Sequence, residues 1–369
     1  MPASTRSLRS ADGADMPNKR RKVEPDDDEE SALRGVELGD RAEHLWFEDG
    51  NVILAARGMS FRVHKGILAL RSDVFRTMLD DASREQVEGR PVFRVEDQGK
   101  DLRDLLHIIY NGGNSDWLSS SRPTIEYADF RRVVDIALKY NINEVISEAK
   151  YRLSRVFQTD SLENWDSDLS PDGDQTPLSI YRRDCIDLLP LSRRLGMHSI
   201  LPLVFYTCCN VNPVEKLAHG VQLDGVPKRV YLAPNDLALC LKGRESLSQE
   251  SSRIMRVLHE LASADRAPSE RCTMQARCRK AFLILSLFAL DKHLYFESSV
   301  LVPMDDWLDD YEEQPNARPC RHCDAVLRKR MDDRRKAVWC KLGEIFGSVE
   351  WPAGKKDNVE GPASNNILE

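Results

Sequence analysis

The apolar residues between His44 and Phe157 switch between a period of two and a period of 3.6, which restricts this stretch to a fold mixing a sheet with helices. Asn51-Val52-Ile53-Leu54-Ala55 is a short apolar run, Gly58 offers a turn, and Phe61-Arg62-Val63 alternates, so a β-hairpin is expected. Two short helices follow, one over Lys65 to Leu70 and one opening at Ser72. Ser72 suits an N-cap, Asp73 suits the first turn, and Phe75, Met78 and Leu79 share a face. Phe93 and Val95 alternate after Pro91 and predict another strand. Leu102, Leu105, Leu106 and Ile109 then recur at i, i+3, i+4 and i+7 until Gly112-Gly113 stops the helix. Phe130, Val133, Val134, Ala137 and Leu138 form a third stripe, and Ile142, Val145, Ile146, Ala149 and Leu153 a fourth. The outcome is an α+β domain of roughly 110 residues, assigned to 44–157.

The rest of the chain divides by texture. Residues 1–40 are rich in Ser, Asp, Arg and Gly without apolar periodicity, which predicts a disordered tail. Within it, Pro17-Asn18-Lys19-Arg20-Arg21-Lys22-Val23 precedes an acidic run from Asp26 to Glu30. A tight basic cluster on extended chain suits the acidic pockets of an import receptor, so Lys19, Arg20, Arg21 and Lys22 are read as a nuclear-localisation signal and importin as a partner. Residues 158–175 read as a linker, being full of Asp, Ser, Pro and Gly. Residues 176–352 read as an all-helical region. Thr176-Pro177 is its expected first cap, Leu188, Leu191 and Leu195 mark a helix ended by Gly196, and Leu201 to Cys209 is a further apolar segment. Later helices are expected at Pro234 to Leu241, Ser246 to Ser263, Cys278 to Phe296 and Ala325 to Phe346, before a second disordered tail over 353–369.

Composition excludes several classes. The 369 residues suggest two or three domains, and 41% hydrophobic content suffices for a core. Lys plus Arg is 53 against 60 for Asp plus Glu, a net charge of −7 that argues against a nucleic-acid-coated surface. Nine cysteines and no apolar run near Arg6 and Arg9 point to a reduced intracellular protein. Ala281 to Leu290, the longest mostly apolar run, is about half a membrane span, so no membrane contact is expected.

Several blocks carry a family resemblance. Asp49-Gly50-Asn51-Val52-Ile53-Leu54, Phe61-Arg62-Val63-His64-Lys65-Gly66-Ile67-Leu68-Ala69 and Ser72-Asp73-Val74-Phe75-Arg76-Thr77-Met78-Leu79 closely resemble the BTB/POZ signature. Ile108-Ile109-Tyr110-Asn111-Gly112 and Ala137-Leu138-Lys139-Tyr140-Asn141-Ile142 are similar to later blocks of the same family, in the same order. The Asp-Gly-Asn wording resembles the fungal (basidiomycete-like) branch. The resemblance implies a short mixed sheet flanked by helices, use as a protein-interaction module, and homodimerisation. It places Asn51, Phe61, His64, Lys65, Leu68, Phe75 and Met78 in the family motif. By their chemistry alone most of these are core residues, and His64 is a structural histidine at a strand–helix corner. Animal transcriptional members carry an acid and a base facing each other in a dimer pocket. Asn51 and Lys65 occupy the matching positions here, so the acid is missing.

One constellation could carry chemistry. Cys320-Arg321-His322-Cys323 is a C-x-x-C pair, and Cys272 and Cys278 form a C-x5-C pair. Brought together, Cys272, Cys278, Cys320 and Cys323 would make a closed four-thiolate structural zinc site. His322 or Cys340 could replace a ligand, while buried free thiols and a redox pair remain alternatives. Cys185, Cys208, Cys209 and Cys240 read as ordinary core thiols. The basic stretch Arg328-Lys329-Arg330 and Arg334-Arg335-Lys336 is interrupted by Asp332 and Asp333, so a solvated helix face is expected and nucleic acid is not an expected partner. Enzyme motifs fail. His259-Glu260-Leu261-Ala262-Ser263 lacks the second histidine of a zinc protease, and neither a phosphate-binding loop nor a nucleophile elbow occurs. The expected function is therefore non-enzymatic: a nuclear scaffold in transcriptional or chromatin-associated regulation, with a substrate adaptor of a cullin-type ubiquitin ligase as the alternative. An adaptor should show an exposed hydrophobic-x-Glu loop before the helix at Leu102, and Glu96-Asp97-Gln98-Gly99-Lys100-Asp101 is no clear match.

Overall fold

In the computed structural model, residues 38–351 are described apart from 82, 84, 120, 122, 169–175, 267, 304–317 and 348–350. The import-like cluster Lys19–Lys22 and the tail 353–369 lie outside the described residues. The expected hairpin is β2 (Val52–Arg57) and β3 (Met59–Val63), paired antiparallel from Val52 opposite Val63 to Ala56 opposite Met59. Gly58 closes it at φ +79°, a backbone region that L side chains avoid. β5 (Arg90–Gln98) pairs parallel with β2 and carries the two-residue edge strand β4 (Gln86–Val87). β1 (Asp40–Trp46) adds parallel to β3, giving a mixed sheet ordered β1-β3-β2-β5-β4. β1 begins four residues before the expected start of the domain. Its register slips between Arg41 and Trp46, and only Ala42 and Leu45 point into the core, so it lacks the alternation by which a strand is recognised.

β2 is buried on both faces. Val52 and Leu54 join the main core, whereas Ile53 and Ala55 pack with Val92, Leu38, Trp46 and Val87 on the reverse side. That two-sided burial is why its sequence reads as an uninterrupted apolar run. α1 (Lys65–Arg71) and α2 (Asp73–Asp80) follow, with the Ser72 hydroxyl accepting from the Phe75 N–H at 2.9 Å as a cap should. α3 (Gly99–Asn111), α4 (Tyr127–Tyr140) and α5 (Asn143–Val156) complete the domain, and Phe75 stacks on Tyr140 at 4.1 Å between centroids.

The segment expected as a linker contains a helix, α6 (Leu162–Asp168), that buries Leu162 and Trp165. Those two apolar residues were outweighed in sequence by the polar residues around them. Nor does Thr176-Pro177 open a helix. It leads into β7 (Leu178–Ser179), which pairs parallel with β6 (Ile125–Glu126) and so stitches the following region onto the α+β domain. Helices dominate from there: α7 (Cys185–Arg194), α8 (Leu201–Cys209), α9 (Glu215–His219), α10 (Pro234–Ser263), α11 (Gln275–Asp291) and α12 (Arg321–Ile345). α10 runs unbroken where two helices were expected. A Cβ on its Gly243 would sit 2.3 Å from a Phe346 ring carbon, so that glycine serves close packing. Trp165 meets Trp339 and Trp339 meets Trp351, so one core extends across both parts. Among the described residues no helix is long and apolar enough to cross a membrane.

Candidate functional site

Two places concentrate chemistry: the corner where β3 enters α1, and the end of the helical region where α11 and α12 begin. At the corner, the Asn51 side-chain oxygen accepts the Lys65 backbone N–H at 2.8 Å and thereby satisfies one of the orphan donors of α1. The Lys65 ammonium instead reaches Asp80 at 2.9 Å. Asn51 and Lys65 thus do not form a facing acid–base pair; one caps the helix backbone and the other is tied to α2.

His64 occupies the N-cap position, but its side chain makes no cap bond. The Tyr110 hydroxyl accepts the His64 backbone N–H at 2.8 Å and lies 3.0 Å from Nδ1. On the other side of the ring, Nε2 lies 3.2 Å from Asp49 Oδ1. The hydrogen bond from His64 holds the Asp49 carboxyl below the usual range, and burial raises the Tyr110 hydroxyl. Phe61, Leu68 and Phe75 are fully buried, while Met78 is half-buried against the same core. On the outer side, Ile67, Leu70 and Val74 are exposed, Leu70 at 76%, so α1 and the start of α2 present an apolar row to solvent.

The segment Glu96–Asp101, expected as a loop, is the end of β5 running directly into α3. Asp97 is held by Lys139 at 2.7 Å and by the Tyr140 hydroxyl, and Asp101 by Arg132 at 2.8 Å. Burial, then Asp97, raises the Tyr140 hydroxyl. A Cβ on Gly99 would lie 2.4 Å from Met59 Cβ, so the strand-to-helix junction presses on the hairpin with no space for a loop.

At the other end, Cys272, Cys278, Cys320 and Cys323 come together, with all four sulfurs within 4.8 Å of one another. Cys272 and Cys278 Sγ are 3.7 Å apart. Four sulfurs at about 2.3 Å around a tetrahedral zinc ion would be about 3.8 Å apart, so the set is already close to the size of a metal cage. Local structure explains it. Cys278 stands in the first turn of α11, Cys320 is the N-cap of α12 and Cys323 is in its first turn. Two helix N-termini therefore point at the sulfurs and favour thiolate. The Cys320 backbone N–H donates to Cys278 Sγ at 3.3 Å, and the Cys323 N–H folds back to the Cys320 carbonyl at 2.9 Å. Burial opposes ionisation of Cys320, but bonds from the Cys323 amide and the neighbouring thiols outweigh it and bring the thiol down to about 7. Burial raises Cys323 and Cys278. One sulfur ready to ionise among closely packed partners is an arrangement that a metal completes by displacing the remaining protons. Neither suggested substitute belongs to the set: His322 Nε2 faces Arg321, and Cys340 is exposed on α12. Cys185, Cys208, Cys209 and Cys240 are buried elsewhere in the helical core.

Four of the six basic residues in this stretch of α12 are in ion pairs, while Arg330 and Arg334 are exposed. Arg328 meets Asp324 at 2.7 Å, Lys329 meets Asp333 at 2.9 Å and Lys336 meets Glu163 at 2.7 Å. Arg335 is buried and clamps α12 to α6 through Asp166 at 2.7 Å, while its Nε donates to the Leu301 carbonyl at 3.2 Å. Sequence reading missed this role, because a buried arginine inside a charged run carries no local mark.

Comparison with known proteins adds one identification. No curated protein matches the chain. Residues 47–155 match the family model of the BTB/POZ domain. The α+β part is therefore a BTB/POZ domain, of a family whose members bind other proteins, followed by a helical region that carries a metal-compatible cluster of four cysteines.

Proposed function

We propose that this chain is a nuclear protein-interaction scaffold of fungal type, working in transcriptional or chromatin-associated regulation. Its BTB domain pairs with a second copy, and its helical region is fastened by one structural zinc ion on Cys272, Cys278, Cys320 and Cys323. The observation that carries the pairing is the exposed row Ile67, Leu70 and Val74 beside the capped start of α1. The 3.7 Å sulfur separation carries the zinc assignment. The cluster Lys19-Arg20-Arg21-Lys22, read by importin, supports nuclear entry. Adaptor chemistry for a cullin finds less support, since Glu96–Asp101 is built into β5 and α3 and offers no free loop.

Proximity labelling with the full chain tests the class. Transcription or chromatin proteins among the labelled neighbours support the scaffold, and a dominant cullin signal replaces it with the adaptor. Alanine at all four of Lys19, Arg20, Arg21 and Lys22 should shift a tagged chain from nucleus to cytoplasm. An unchanged nuclear signal removes that assignment.

A further inference from the structure

α11 is apolar on both sides. Cys278, Ala281, Phe282, Leu285 and Ala289 face inward and are buried. On the opposite side Leu283, Leu287 and Leu290 are 48%, 54% and 47% exposed. An ordinary surface helix turns polar residues outward, so three leucines along one outer line are unusual for a face that meets only water. The line is bounded by charge. Lys280 lies at its N-terminal end and Asp291 at its C-terminal end, both exposed, and neither is in an ion pair among the described residues.

We propose that this face binds the same face of a second copy, antiparallel about a two-fold axis, as a self-association surface separate from the BTB pairing. The register follows from the spacing. Lys280 and Asp291 are eleven residues apart, about three helical turns, and so lie on nearly the same line. Reversing one helix about the midpoint sets Lys280 against the partner copy's Asp291 at both ends. It also sets Leu283 opposite residue 288 of the other copy, one residue from its Leu287, and does so twice. A face whose ends carry opposite charges and whose middle is leucine is complementary to itself only in this antiparallel arrangement.

Three half-exposed leucines fall well short of the ~800 Å² per partner of a stable standalone interface. The contact is accordingly weak between free copies and becomes effective when another contact holds copies close. Because the BTB row and the α11 face are distinct two-fold surfaces, using both would extend assembly beyond a dimer.

Sedimentation velocity of the full chain over a wide concentration range tests this. Growth of the assembly with concentration is expected, and Leu287→Asp should abolish the part due to α11 while leaving helicity unchanged. Lys280→Glu and Asp291→Lys should each weaken association alone, because like charges then meet. An equimolar mixture of the two single variants should restore it, since opposite charges face one another again at both ends. A fold defect would not be rescued by mixing. Leu70→Asp, on the BTB row, separates the two surfaces: it removes BTB pairing and should leave only the weak α11 association, read at the top of the concentration range. If Leu287→Asp and both charge variants sediment as the unaltered chain does, or if mixing restores nothing, the α11 pairing is wrong even where BTB pairing stands.

Discussion

Arg152 offers the sharpest test of how the two parts of the chain are joined. Its side chain is fully buried near the end of α5. Nη1 donates to the carbonyls of Pro123 at 2.9 Å and Pro177 at 2.6 Å, and Nη2 to those of Asp116 at 3.1 Å and Trp117 at 3.2 Å. Nε lies 3.1 Å from Glu148, and the guanidinium sits over the Trp117 ring. One guanidinium thus ties the connection between α3 and α4 to the segment that leads into β7. Arg152→Met keeps most of the aliphatic stem and removes every one of these donors. Each buried carbonyl left without a partner costs about 1–3 kcal/mol. Summing four of them overshoots, because water can enter and because the large desolvation cost of the guanidinium is relieved. Breaking a buried charged pair by removing one partner typically costs about 3–5 kcal/mol, and we expect that range. For a chain of this size it corresponds to a fall in Tm of roughly 4–8 °C. Calorimetry and urea titration of the full chain measure it. Arg152→Lys should fall between, since an ammonium can reach only some of the carbonyls. A methionine variant within about 1 kcal/mol of the unaltered chain would refute the idea that this side chain carries the junction.

Three other outcomes follow from the same geometry. Purified chain should carry one zinc ion, and Cys323→Ser or a strong chelator should remove it and lower Tm; metal-free chain of unaltered stability would exclude the site. Affinity for that ion should fall with falling pH, because protons compete for the raised Cys278 and Cys323 thiols, and more steeply below about 7, where Cys320 is protonated as well. Gly99→Ala should destabilise the BTB domain by about 1–3 kcal/mol, since its Cβ meets Met59 Cβ at 2.4 Å and the junction must shift to admit it. An alanine variant as stable as the parent would mean that the junction yields without strain.

Much of the fold was legible in the chain. The β2–β3 hairpin, the Ser72 cap and the stop at Gly112 are written in neighbouring residues, and the structure holds each of them. The misses share a cause. β1, α6 and the β6–β7 pair carry few apolar residues, and they form because distant partners supply the strands' hydrogen bonds and the core that α6 packs on. The gap expected between Leu241 and Ser246 is closed for the converse reason: Gly243, within it, packs against the Phe346 ring from beyond the end of α12.

The candidate site divides in the same way. One cysteine pair with metal-like spacing and a second, looser C-x5-C pair could be read from the sequence, because a C-x-x-C turn brings two sulfurs together by local geometry alone. Whether the pairs meet depended on how α11 and α12 pack against α10, and only the tertiary structure set four sulfurs within 4.8 Å. Likewise the basic run of α12 is visible as charge, but its assignment to internal pairs needs the acids of α6 and of α12 itself. What the sequence determined by itself was the α+β domain, the motif blocks that resemble the BTB family and the cysteine spacing, because periodicity, motif wording and spacing are local properties. Packing decided which charges are spent inside, which sulfurs converge and which leucines stay in water, because burial belongs to the assembled chain and not to any segment of it.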